Sequence, residues 1–173
     1  RGLADEGILL AYHDRSDGGL ATTLCEMMFA SHKGVRVSLD ALAEGDVHDE
    51  EALSILFNEE IGAVLQVREE SAADVASRAE SLGLTRYYAP IGTVTDKDSL
   101  EIEAAGKVLI SIPRVHLMRD WSEVTHQMAR LRDNPECADS EFAVTTGQKA
   151  PGLFVKTTFN VHERIAAPFV HSS

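Results

Sequence analysis

The stretch Ile8-Leu9-Leu10-Ala11-Tyr12-His13-Asp14-Arg15-Ser16-Asp17-Gly18-Gly19-Leu20 passes from an apolar run, through a polar loop with paired glycines, into a helical pattern. Ile8 to Tyr12 reads as a buried strand that delivers the loop Asp14 to Gly19. Leu20, Leu24, Met27 and Met28 then share one face of a helix running to Ser31, with Cys25 beside it. Gly34 is a stop signal. Val35, Val37 and Leu39 alternate with polar residues, the mark of a half-buried strand.

Further along, an acidic turn leads into a short helix over Glu51 to Phe57, followed by a strand over Ile61 to Val67. Ser71 to Leu82 is an alanine-rich helix with Ala72, Val75, Ala76 and Ala79 at helical spacing, ended by Gly83. Strands are expected over Ile91 to Thr95, Leu100 to Ala104 and Lys107 to Ile112, with turns at Asp96-Lys97-Asp98 and Ala105-Gly106. Val115 to Leu131 reads as a last helix, and its stripe Leu117, Trp121, Val124, Met128 and Leu131 is expected to be core. This order mixes crossovers with a hairpin. It predicts an α+β fold, a mixed or antiparallel sheet with helices packed on it, and not a doubly wound sheet. Residues 1–132 are expected to form the domain. Residues 133–173 lose periodicity and read as a linker carrying one strand-like run, Leu153 to Phe159.

The chain has 173 residues, and 16 Lys and Arg against 28 Asp and Glu leave a formal charge of −12. Such an acidic chain is repelled by nucleic-acid phosphates and anionic lipid, so neither is expected as a general partner. No apolar run approaches a membrane span. Its two cysteines, Cys25 and Cys137, form no CxxC, which fits a reducing cytoplasm better than a disulfide framework. Arg1 to Gly7 lacks a signal-peptide core, and the absence of an initiator Met suggests a piece of something larger.

The loop is where chemistry is expected. A strand end turning through two glycines into a helix presents free N–H groups at the positive end of the helix dipole, where anionic oxygens bind. Ser16, Asp17, Gly18 and Gly19 are the candidate nucleotide-binding residues. Asp14 and Asp17 would repel a bare phosphate, but a Mg²⁺ between them and the phosphates reverses the sign, since carboxylate plus phosphate is a usual Mg²⁺ environment. The plain alternative is that Ser16 or Asp17 caps the helix and the glycines form a tight turn. Asn58-Glu59-Glu60 could bind a metal, but such a cluster before a strand is more often a solvated turn. His13 reads as a substrate-phosphate contact or a structural hydrogen-bonding group. Cys25 is expected to be packed and unreactive.

Four ordered blocks carry a resemblance. They are Ala11 to Leu20; Leu56-Phe57-Asn58-Glu59-Glu60-Ile61 through Val67; Gln127 to Ala138 with Arg132-Asp133-Asn134-Pro135; and Ala166-Ala167-Pro168-Phe169. Together they resemble phosphoribosylformylglycinamidine synthase, the purine-pathway amidotransferase, in its long single-chain form. The resemblance implies a fold like the C-terminal domain of aminoimidazole ribonucleotide (AIR) synthase. It implies that the chain is the second such domain of a synthetase half, with residues 133–173 as the linker toward a missing glutaminase domain. It further implies an ATP-dependent carbon–nitrogen ligase in purine biosynthesis, which makes formylglycinamidine ribonucleotide from formylglycinamide ribonucleotide and glutamine in the cytoplasm. ATP or ADP and Mg²⁺ would be its cofactors, and the other domains of the same chain its partners. By position, Asp14 resembles the family's magnesium ligand and Ser16 its nucleotide contact. The ATP-binding domains and the glutaminase nucleophile are not in this sequence, so the chain alone is expected to be inert and to supply one wall of a site. Two other readings stand beside this one. The chain is a scaffold domain bracing the synthetase, or it belongs to another ATP-using relative such as thiamine-monophosphate kinase or a hydrogenase-maturation dehydratase.

Overall fold

A computed structural model describes residues 2–43, 45–147 and 155–160. A short helix α1 (Gly2–Asp5) precedes β1 (Leu9–Arg15), α2 (Gly19–Ser31), β2 (Gly34–Ser38), α3 (Asp49–Phe57), β3 (Gly62–Val67) and α4 (Ala72–Ser81). Then come β4 (Gly92–Thr95), β5 (Ser99–Ala104), β6 (Lys107–Pro113), α5 (Arg114–Arg132) and α6 (Pro135–Thr145). The strands form two sheets. β1 and β3 make an antiparallel ribbon, and the second sheet has the order β4-β2-β5-β6. β2 runs antiparallel to β4 and parallel to β5, and β5 is antiparallel to β6. This is the expected α+β plan with a mixed sheet.

One apolar layer joins the elements. Leu20, Leu24 and Met28 of α2 meet Val37, Leu100, Ile102 and Ala104 from the four-stranded sheet and Leu39 just beyond β2, with Ala52 and Leu56 of α3. Met28, Val37, Leu39 and Ile102 are almost wholly buried, each stabilising the fold by roughly 1.5–3 kcal/mol relative to exposure. The β5–β6 connection is the two-residue hairpin expected at Ala105-Gly106. Both residues have positive φ, 49° and 71°, as the tight primed turn requires.

Four expectations are corrected. The first strand does not stop at Tyr12 but pairs with β3 as far as Arg15↔Gly62, so Asp14 lies on the strand opposite Ala63. Residues 135–145 are a helix where a structureless linker was expected. The side chain of Asn134 accepts from the N–H groups of Glu136 and Cys137, and Pro135 stands at the first helical position. An Asn cap followed by Pro is a helix-start signal as much as a loop signal. The α5 stripe is not core: Leu117 packs partly against the apolar layer, whereas Trp121, Val124, Met128 and Leu131 are exposed. The strand-like run Leu153 to Phe159 is not a strand over its described part, residues 155–159. The block Ala166 to Phe169 lies outside the described residues.

Candidate functional site: the strand–glycine turn–helix corner

Side chains on β1 alternate. Leu9, Ala11, His13 and Arg15 are partly buried, and Leu10, Tyr12 and Asp14 stand on the open face of the ribbon. The Asp14 carboxylate is 67% exposed, and His13 Nδ1 lies 3.9 Å from it. His13 itself faces inward. Its Nε2 lies 3.1 Å from Glu26 Oε2 on α2, and its Nδ1 lies 2.7 Å from the Asp14 carbonyl oxygen. His13 therefore braces β1 against α2 through Nε2, while its Nδ1 edge stays beside Asp14.

The chain then turns sharply. The Gly19 N–H donates to the Ser16 carbonyl at 2.9 Å, and Gly18 and Gly19 both have left-handed backbones, with φ of 78° and 66°. Gly18 is the N-cap of α2, so neither Ser16 nor Asp17 occupies that position; both side chains are exposed. A Cβ on Gly19 would come within 2.8 Å of the Leu56 oxygen and the Phe57 carbonyl carbon. Glycine is required there twice over, by backbone conformation and by close approach to the end of α3. The buried Thr23 hydroxyl, 3.0 Å from the Gly19 oxygen and 3.3 Å from the Asp14 oxygen, fixes the corner from below.

The segment Asn58-Glu59-Glu60 completes the corner. The Gly18 N–H donates to Glu59 Oε1 at 3.0 Å. A carboxylate thus already occupies an amide at the positive end of α2, where a phosphate oxygen was expected to bind. Glu60 accepts from the Asn58 amide and lies 3.7 Å from Arg15 Nη1, while Arg15 Nη2 donates to the Ile55 carbonyl at 2.9 Å. Sequence reasoning named Glu59 only as a possible ligand. It missed that Glu59 and Arg15 lock the loop to the end of α3, and the only signal was the clustering of three polar residues before a strand.

The chemistry open to this corner follows. Asp14 offers one solvated carboxylate on the same end of the ribbon as Ser16 and Asp17. Mg²⁺ is often held by one or two carboxylates together with substrate phosphates and water, so a single free Asp14 fits that ion when phosphate supplies the rest. Among the described residues, no cluster of three or more His, Cys, Asp or Glu is placed to hold a metal without such help. A crevice of about 70 Å³ lies elsewhere, lined by Leu24, Met27, Val35, Val64 and Ile91, and includes none of the loop residues. Cys25 is half-buried, and burial first, then the Glu26 charge, pushes its thiol up to about 11, so it stays protonated and unreactive. Among the described residues, no helix is long and apolar enough to cross a membrane.

Known proteins align with this architecture. Residues 1–105 match the family model for AIR synthase related protein, C-terminal domain. The fold resembles PurL of Thermotoga maritima complexed with FGAR (TM-score 0.53, 19% identity over 67% of this chain). It resembles the same protein complexed with ATP (TM-score 0.54, 19% identity over 65%) and the HypE–HypF complex (TM-score 0.50, 19% identity over 63%). The matched region is 19% of the PurL chain and 38% of the chain in the HypE–HypF complex. These identities establish a shared fold, and the domain occurs in much longer ATP-using proteins. The family match covers well over half of the sequence: the chain belongs to the AIR synthase-related proteins, as a member of their C-terminal domain family.

Proposed function

We propose that this chain forms one wall of a Mg²⁺-nucleotide site in phosphoribosylformylglycinamidine synthase, the glutamine-dependent carbon–nitrogen ligase of cytoplasmic purine synthesis. The observation that carries this reading is the Asp14 carboxylate, exposed on the open ribbon face next to a glycine turn and, among the described residues, paired with no lysine or arginine. Asp14 would hold the ion. The Ser16 hydroxyl would donate to a phosphate oxygen, and Asp17, Gly18 and Gly19 would shape the turn against the phosphates. When bound, the ion would neutralise phosphate charge as a phosphoryl group moves. The chain's own part is to hold the carboxylate and turn rigidly, through Thr23 and the contact of Gly19 with α3. Other domains would supply the catalytic groups and the second wall, so the chain alone would be inactive. The ordered sequence blocks around Asp14, Asn58 and Asn134 favour the ligase over the hydrogenase-maturation relatives.

A second reading is favoured by one specific contact. Because Glu59 already holds the Gly18 amide, the corner also suits a purely bracing role with no nucleotide. A titration with Mn²⁺·ADP, followed by paramagnetic broadening of amide NMR signals, separates the two and tolerates weak binding. Broadening centred on 14–19 in the wild type, abolished in Asp14→Asn, is the expected result. Broadening elsewhere, or unchanged in the variant, rules out the metal role.

A further inference from the structure

From the register of β1 on β3, we infer that Tyr12 and Leu65 form the platform for the base of the nucleotide whose phosphates Asp14 would hold through Mg²⁺. The inference rests on the proposed Mg²⁺-nucleotide reading of this corner and adds the nucleoside end of the ligand. Tyr12 pairs with Leu65, and Asp14 pairs with Ala63. Directly opposite residues share a face of the ribbon, and so do residues two apart on one strand. All four side chains are exposed, Tyr12 at 60% and Leu65 at 38%. Among the described residues no other ring packs against Tyr12. An aromatic side chain left open on a two-stranded ribbon has a π face to offer a ligand.

The face has a direction. Its charged end is Asp14, next to the glycine turn, and its apolar end is Tyr12 with Leu65. A nucleoside diphosphate has the same polarity, with a metal-bound polyphosphate at one end and an uncharged planar base at the other. Two strand residues separate Tyr12 from Asp14 by about 7 Å, a distance that one ribose with its α-phosphate can span. Ala63, opposite Asp14, is too small to block the ribose. A neighbouring domain laid flat on this face would instead bury Asp14. Among the described residues Asp14 is paired with no lysine or arginine, and an uncompensated buried carboxylate is costly. A metal-bound nucleotide brings the missing positive charge and the planar surface together. Stacking reads the face of a base and not its edge, so Tyr12 adds affinity without choosing among bases.

The test is NMR of the whole 173-residue chain, read at the amides and at the Tyr12 ring, during titration with Mg²⁺·ADP and separately with Mg²⁺·pyrophosphate. The expected result is about tenfold tighter binding of ADP, within the range for one base stacked on one aromatic ring. The Tyr12 ring protons should move upfield with ADP and stay in place with pyrophosphate. Tyr12→Ala should lower ADP to the affinity of pyrophosphate and leave pyrophosphate unchanged, whereas Tyr12→Phe should keep the preference. Tyr12 is too exposed for either change to unfold the domain, and unchanged far-UV circular dichroism checks this. Asp14→Asn should abolish binding of both ligands. Equal affinities for ADP and pyrophosphate, both lost in Asp14→Asn, overturn the platform and leave the metal–phosphate reading standing. A preference for ADP that survives Tyr12→Ala does the same, because the base then lies elsewhere. Binding indifferent to Asp14→Asn, or no response to either ligand, overturns the metal–phosphate reading and the platform with it.

Discussion

The Gly18 N–H and the Glu59 carboxylate meet at 3.0 Å across 41 residues of sequence, so the start of α2 carries its own anion. The bond ties the glycine turn to the segment leading into β3 and satisfies one of the orphan donors at a helix start. Glu59→Gln keeps an acceptor but removes the charge, and should cost about 0.5 kcal/mol, shrinking with salt. Glu59→Ala leaves the amide to water and should cost about 1 kcal/mol. Urea unfolding reads both, and hydrogen exchange at Gly18 should quicken in the alanine variant. Equal stability in all three proteins would show that the contact contributes nothing.

Gly19 and Gly83 separate close approach from backbone strain. Both have left-handed backbones, φ 66° and 70°. A Cβ at Gly83 meets nothing within 4 Å, whereas one at Gly19 meets three main-chain atoms at 2.8–2.9 Å. Gly83→Ala should therefore cost about 1 kcal/mol, the left-handed penalty alone. Gly19→Ala should cost at least about 2 kcal/mol, because α3 must also move. Thermal or urea unfolding of the two variants side by side measures the difference. Equal costs would mean that the loop yields freely at α3.

Glu101 predicts an acid sensitivity. It lies on the buried strand β5 and accepts from Lys97 and from Arg36, the latter at 2.9 and 3.2 Å. The hydrogen bond from Lys97 first, then that from Arg36, holds its carboxyl below the usual value near 4.5. A carboxyl lowered in the folded state binds its proton more readily when unfolded. Its stabilising effect is therefore present above the unfolded value and is lost as pH falls through the folded one. Wild type should exceed Glu101→Gln in urea midpoint at neutral pH, and the gap should close below pH 4.5. A gap independent of pH would show that charge plays no part.

Much of this architecture was legible because local signals agreed with tertiary demands. The helix faces of Leu20, Leu24 and Met28, and of Val75 and Ala79, are buried as their periodicity requires, and the Ala105-Gly106 turn is where two positive-φ residues were needed. What failed were readings that depend on what lies opposite. Nothing in the Trp121 stripe distinguishes an inward seam from an outward one, because periodicity specifies a face and not its neighbour. Asp14 was placed in a loop because polar residues break an apolar run. Pairing of Arg15 with Gly62, invisible locally, carries the strand through it. The candidate loop was found from its glycines, but its lock to Glu59 depends on a contact between distant segments.

Arg114 shows how such distant contacts hold the sheet to the last helices. It opens α5, is 1% exposed, and sends Nε to Asp98 Oδ1 at 2.6 Å and Nη2 to Asp98 Oδ2 at 3.2 Å. Its own N–H donates to the Asp98 carbonyl at 3.1 Å, so side chain and backbone both pin the turn before β5 to the start of α5. Removing one partner of a buried pair strands the other. Arg114→Ala should accordingly cost about 3–5 kcal/mol. Arg114→Lys keeps the charge without the planar fork and should cost less. Replacing both partners, Arg114→Met with Asp98→Ala, removes the stranded charge and should recover part of the loss. Calorimetric unfolding of the four proteins tests this order. If the double variant is no more stable than Arg114→Ala alone, the loss comes from packing around the arginine stem and not from an orphaned carboxylate.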